Sequence, residues 1–183
     1  SGKIVWDTSM PDGMLRKFDV LLATSKRDRD LFHEDLPGVR IEIIPNGVDT
    51  ALFAAQTGEP EPRTMVFTGL MNYYPNSHGI AFFLERIFPL VLERVPDARV
   101  YIVGANPSKR LRALASSNVE VVGYVKDVRP YVARGEISII PLLIGGGTRL
   151  KVLEAMAMRK PIVSTTLGCE GLDIVDGESA IFA

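Results

Sequence analysis

The chain has 183 residues, enough for one domain or for one domain plus part of another. Apolar residues at 46% and charged residues at 23% lie near the globular average, which excludes a disordered tail, a collagen-like repeat and a disulfide-dense scaffold. Twenty-one Lys and Arg against 22 Asp and Glu leave a formal net charge of −1, and this removes the electrostatic footprint of a dedicated nucleic-acid binder.

Short apolar runs rich in β-branched residues alternate with longer amphipathic stretches, the pattern of βαβ units on a parallel sheet. Strands are predicted over residues 20–24, 40–44, 65–68, 99–103, 119–122, 137–141 and 162–164. Most are continuously apolar, as expected when helices cover both faces of a sheet. Helices are predicted over 26–34, 77–95, 108–116, 128–134 and 148–158. Ser25 is placed to cap the first of these, and Pro37-Gly38 closes the loop behind it. In the second, Ile80, Phe83, Leu84 and Ile87 recur at helical spacing and form the expected buried face, while Pro89 should break the helix. The fold class is therefore α/β, a Rossmann-like parallel sheet with helices on both faces.

Residues 54–63 contain Gln56, Thr57, Gly58, Pro60 and Pro62 and read as a linker. Residues 1–53 would then be the remnant of a preceding domain with its connecting segment, too small for an independent core. Residues 64–183 would be the main unit, ending on a strand-like run with no covering helix, as a truncated domain would. The lone Cys169 has no disulfide partner, and no basic segment followed by an apolar core opens the chain, so a cytoplasmic protein is expected. No apolar run approaches the ~20 residues that cross a bilayer.

The most informative stretch runs from Pro141 through Gly145-Gly146-Gly147-Thr148-Arg149-Leu150-Lys151 to Glu154. A buried strand passes through three glycines into an amphipathic helix, which places free backbone amides and a positive helix end at the edge of the sheet, where phosphate binds well. Thr148 could cap that helix or donate to a phosphate oxygen. Arg149 and Lys151 fall in its first turn, where cations oppose the helix dipole unless an anion joins them. Glu154 shares a side of the helix with Lys151 and could accept both hydroxyls of a ribose. The alternative is a tight turn with solvated charges and a Lys151–Glu154 salt bridge. Neither Gly-x-Gly-x-x-Gly nor Gly-x4-Gly-Lys-Ser/Thr is present.

Gly-Gly-x-x-Arg-Leu-Lys-x-x-Glu-Ala-Met-Ala, followed by Pro161-Ile162-Val163-Ser164-Thr165, resembles the donor site of GT-B glycosyltransferases of the retaining family 4, or group 1, type. Ile44-Pro45-Asn46-Gly47-Val48-Asp49 is similar to the stretch that joins the two Rossmann-like halves of such enzymes. Gly168-Cys169-Glu170-Gly171-Leu172 and Asp176-Gly177-Glu178 fit the segment beyond the site. The resemblance implies the C-terminal, donor-binding half of an enzyme that transfers sugar from a nucleoside diphosphate, with retention, in polysaccharide biosynthesis. It implies no metal and no cofactor, the nucleotide sugar being the substrate.

By the same resemblance Glu154 is the second glutamate of a Glu-x7-Glu motif and binds the ribose. The first glutamate falls at Gly146, so the amides of Gly146, Gly147 and Thr148 would contact sugar or phosphate. After the strand at 65–68, Gly69 is kept, but Leu70, Met71 and Asn76 stand where the family carries an arginine and a lysine for the diphosphate. Arg149 and Lys151 are the candidates to replace that charge. Gly123-Tyr124-Val125 resembles the loop that holds the base. The implied partners are a nucleotide-sugar donor and a missing N-terminal acceptor domain, not nucleic acid. Membrane contact is left to the full enzyme, and self-association is left open by the apolar strand ends. Two other readings compete: a binding module or remnant without transferase activity, favoured by the missing glutamate and basic pair, and, more weakly, a nucleotide-sugar epimerase of the same fold.

Residues 2–17 resemble a segment near the C-terminal end of GDP-fucose synthases, or else form an ordinary turn at Pro11-Asp12-Gly13. Asp28-Arg29-Asp30 has the spacing of a metal-binding Asp-x-Asp but lies in a helix, where i and i+2 do not share a face, and is expected to be solvated. His33 is expected at the surface and His78 near a helix start. Phe82, Phe83, Phe88 and Cys169 are expected in the core.

Overall fold

The computed structural model describes residues 12–54 and 58–183. Residues 2–11 of the synthase-like stretch and 55–57 of the expected linker lie outside the described residues. A short turn of helix, α1 (Asp12–Leu15), precedes β1 (Leu21–Ala23), α2 (Lys26–Asp35), β2 (Ile41–Ile43) and α3 (Thr50–Ala54). β1 and β2 pair in parallel as a two-stranded sheet of their own, with Leu21 opposite Ile41. Ser25 caps α2 as expected, its hydroxyl accepting from the Asp28 amide at 3.1 Å. Asp28 is not solvated: it is 3% exposed and accepts from the Ser25 hydroxyl at 2.8 Å, a reciprocal cap that spacing alone does not reveal.

The second sheet holds β3 (Thr64–Thr68), β4 (Arg99–Val103), β5 (Val119–Gly123), β6 (Ile137–Ile140), β7 (Ile162–Ser164) and β8 (Ile181–Phe182). All six pair in parallel, in the order β5-β4-β3-β6-β7-β8. This is the order of a dinucleotide-binding sheet, with the reversal between β3 and β6, where connections leave in opposite directions and open a crevice. The continuous apolar strands are explained by burial on both faces. On one face Phe67, Val100, Ile102 and Ile139 pack under α4 (Tyr74–Phe82), α5 (Phe88–Arg94) and α6 (Lys109–Ala113). On the other, Val66, Tyr101 and Val103 meet Val128 and Tyr131 at α7 (Arg129–Arg134). A third cluster packs Val152 and Ala155 of α8 (Leu150–Ala157) against Ile140, Ile162 and Cys169.

The long second helix shows how proline edits a pattern. It does not end at Pro89. A π turn over Phe83–Ile87 joins α4 to α5, and the Phe88 amide donates to the Phe83 carbonyl five residues back. One added residue per turn rotates the face by about 100°. Ile80, Phe83 and Leu84 are buried as expected, but Ile87 turns outward and Phe88 takes its place, its ring 6.0 Å from that of Phe83. This corrects the expected buried face, because a constant period cannot anticipate a change of helix type.

The ends of β3 and β4 approach so closely that a methyl group on Gly104 would overlap the Gly69 carbonyl oxygen. The Gly69 amide also donates to the Val103 carbonyl at 3.0 Å, so this contact fixes the floor of the crevice. Gly104→Ala should therefore lower stability by about 2 kcal/mol or more, read as a shift in the urea midpoint. An unchanged midpoint would show that the two loops are free to separate.

Candidate functional site

A cavity of about 590 Å³ opens at the C-terminal ends of β3, β4, β5 and β6, at the point of strand reversal. Of the sequence-predicted residues, Gly69, Tyr124, Val125, Gly146, Thr148, Arg149, Lys151 and Glu154 all line it. Gly147 does not; with φ at +76° it turns the chain so that its carbonyl, like that of Gly146, faces the Arg149 guanidinium. The lining also includes Thr68, Tyr73, Asn76, Gly104 and Val128. Gly104 and Val128 carried no motif, although a glycine directly after a buried strand was a usable signal for the first.

Thr148 does not cap α8. The helix begins at Leu150 with Arg149 at the cap position, and the Thr148 hydroxyl lies 3.5 Å from the Thr24 carbonyl at the end of β1. Nearby, Arg27 pairs with Glu170, so α2 and the segment after β7 both close on the glycine turn.

Arg149 is only 8% exposed. Its Nη1 donates to the carbonyls of Gly146 and, at 2.8 Å, Gly147, while Nε and Nη2 are buried without a partner among the described residues. Burial lowers its pKa. A buried guanidinium with two free donors is a costly arrangement that an anion with paired oxygens would relieve. Lys151 does not pair with Glu154. Its ammonium donates to Asn76 Oδ1 at 2.8 Å and lies 4.2 Å from the centre of the Phe67 ring. Burial, and then the Arg149 charge, lower its pKa to about 7. Glu154 is pushed up by burial, with the nearby Lys151 charge opposing.

His78 stands outside this cavity, in α4 with its ring 5.3 Å from that of Tyr74; its Nδ1 is buried without a partner among the described residues. Among the described residues no group of three or more His, Cys, Asp or Glu is arranged to hold a metal ion, and no helix is long and apolar enough to cross a membrane.

A doubly covered parallel sheet with a basic glycine turn at its reversal point defines a Rossmann-like unit. The sequence model for glycosyl transferases group 1 matches residues 62–183, and the chain belongs to that family. It is 30% identical over 144 residues, 74% of this chain and 37% of the relative, to a phosphatidyl-myo-inositol mannosyltransferase of Mycobacterium tuberculosis. A GDP-mannose:cellobiosyl-diphosphopolyprenol alpha-mannosyltransferase of Xanthomonas campestris is 29% identical over 102 residues, 56% of this chain and 26% of the relative. The chain spans about a third of the length of the first curated relatives that it matches. Its fold resembles that of Anabaena Alr3699/HepE, solved with UDP and glucose, with a TM-score of 0.70 at 15% identity over 99% of this chain and 55% of that one.

Lys151 has a direct consequence for stability. Between pH of about 7 and the ordinary lysine value the unfolded chain binds more protons at this residue than the folded one, so its burial costs less as pH rises. Lys151→Met should raise the stability of the unliganded chain near pH of about 7 by on the order of 2 kcal/mol, with the gain shrinking as pH rises above that and smallest near about pH 10. Urea denaturation at both pH values checks this. A gain that does not change with pH would remove the buried ammonium as its cause.

Proposed function

We propose that this chain is the donor-binding part of a glycosyltransferase that moves a sugar from a nucleoside-diphosphate sugar to an acceptor, with retention. The observation that carries the reading is Arg149, buried with Nε and Nη2 unpartnered, beside the Lys151 ammonium in the cavity at the strand reversal. A diphosphate would supply the oxygens that these donors lack. Glu154 lies on the same wall and would accept the ribose hydroxyls, with Tyr124 and Val125 beside the base. The reported donors and complexes of related proteins, GDP-mannose in one and UDP in another, support the same class of ligand.

In the reaction, fixed positive charge at the glycine turn would stabilise the diphosphate as it departs and gains charge. No metal and no cofactor enters this reading. The chain up to residue 53 would belong to the junction with an acceptor-binding domain, and residues 64–183 would form the donor half. The full enzyme would act in the cytoplasm in polysaccharide synthesis, a reading favoured by the relative from a Klebsiella pneumoniae cps region. Acceptor chemistry belongs to the domain that this chain does not include. Gly146, standing in place of the resembled family's first glutamate, favours a second reading: a nucleotide-sugar-binding module without transferase activity.

The chain on its own should bind UDP or GDP sugars without turning them over. Calorimetry together with a product assay tests this. Absence of nucleotide binding at millimolar concentration would overturn both readings, and robust transfer by the isolated chain would overturn the division of labour. Glu154→Ala should weaken a nucleoside diphosphate by roughly tenfold while leaving inorganic pyrophosphate nearly unchanged. Equal weakening would remove the ribose assignment.

A further inference from the structure

We propose that Asn76 is the positioning residue of this site, holding the Lys151 ammonium of α8 against the end of β3 so that a diphosphate meets cations from two sides. The inference rests on the reading of the cavity as a donor site. The loop after β3 carries no basic residue up to Asn76, and Leu70 and Met71 occupy its start. The charge arrives instead from a helix that follows β6. Something must hold it there, because a lysine stem is flexible and its ammonium prefers water.

Asn76 does this with both ends of its carboxamide. Its Oδ1 accepts from Lys151 Nζ at 2.8 Å, and its Nδ2 donates to the Leu70 carbonyl at 3.0 Å. The two partners fix which end is oxygen, since a flipped amide would point its NH2 at the ammonium. Asn76 is 7% exposed and sits in the first turn of α4 behind Pro75. Gly69 leaves the space for this arrangement: a methyl group there would crowd both Asn76 Nδ2 and Lys151 Nζ. One side chain therefore ties α8, α4 and the loop after β3 together directly beneath the glycine turn.

The residue type matters. An aspartate would also accept from Lys151, but it would neutralise the ammonium and repel an incoming phosphate. Asparagine supplies an acceptor without charge and takes only one of the three ammonium donors. Among the described residues, Lys151 has no carboxylate within ion-pair distance. The ionisable groups around it are Arg149 at the cap of α8 and Glu154 within that helix, with Tyr73 and Tyr124 on the cavity wall and Asp28 and Arg27 of α2 behind Arg149. Its charge is therefore weakly held in the free chain and would be completed by the diphosphate. Ligand binding should take up a proton near neutral pH.

The test is calorimetric titration of the full chain and of Asn76→Asp with UDP-glucose, GDP-mannose and inorganic pyrophosphate, from about pH 6 to about pH 8.5. A sugar diphosphate ester has no phosphate proton to lose in this range, so its pH profile reports the protein. The wild-type affinity should fall by roughly tenfold across the range, with proton uptake that depends on the buffer. Asn76→Asp should bind about tenfold more weakly at the acid end and lose the pH dependence. In the wild-type chain, the Asn76 side-chain amide resonance should move as Lys151 titrates and again when pyrophosphate is added. That readout needs no variant to fold.

A wild-type chain that binds nucleotide sugar, with Asn76→Asp showing the same affinity and profile, overturns the positioning role and leaves the donor reading intact. An Asn76 resonance blind to both pH and pyrophosphate does the same. Pyrophosphate binding that weakens in Asn76→Asp, with no tighter binding of nucleotide sugars, supports the positioning role and removes the donor reading. No binding of any of the three overturns both.

Discussion

The pairing of β3 with β4 on one side and β6 on the other is the constraint on which the rest of this molecule depends. Because all six strands run parallel, their C-terminal ends share one edge. Because the order reverses at β3, the loop after β3 and the loop after β6 leave that edge in different directions. The crevice between them is a result of topology. The side chains decide only what it holds, and here they make it basic, half-buried and short of hydrogen-bond partners.

The cost of that choice is visible in the packing. Arg149 gives Nη1 to two glycine carbonyls and keeps two donors unmatched, while Lys151 is pressed against the Phe67 ring and an uncharged amide. Neither arrangement favours the unliganded fold. Rigid surroundings make them tolerable: the Gly69–Gly104 approach beneath, the doubly bonded Asn76 beside, and α8 anchored by Val152 and Ala155 in its own apolar cluster. A site that binds an anion by relieving pre-existing strain in hydrogen bonding needs such a frame, since a softer one would let the cations turn out to water.

Much of the architecture was legible because its signals are local. The strands at 99–103 and 162–164 coincide with the apolar runs, and Ser25 caps the helix that it precedes. The short helix Thr50–Ala54 was not read, because five residues contain too little of a period to register. Periodicity points Ile87 inward and Asp28 outward, and contacts reverse both: a π turn in one case, a capping hydroxyl in the other.

The sequence by itself determined the class of fold, the strand-glycine-helix turn and many of the residues that gather around it, because β-branched runs, glycines and the ordered motifs act over short separations. Only the tertiary structure decided how those residues are used. Lys151 and Glu154 are three apart on one helix and look like an ion pair, yet Lys151 is bonded to Asn76, seventy-five positions away in the chain. Spacing alone leaves Arg149 either facing an anion or solvated, and the glycine turn folds over it and buries it. Burial and partner choice depend on which strands lie side by side, and that is settled when the whole sheet forms.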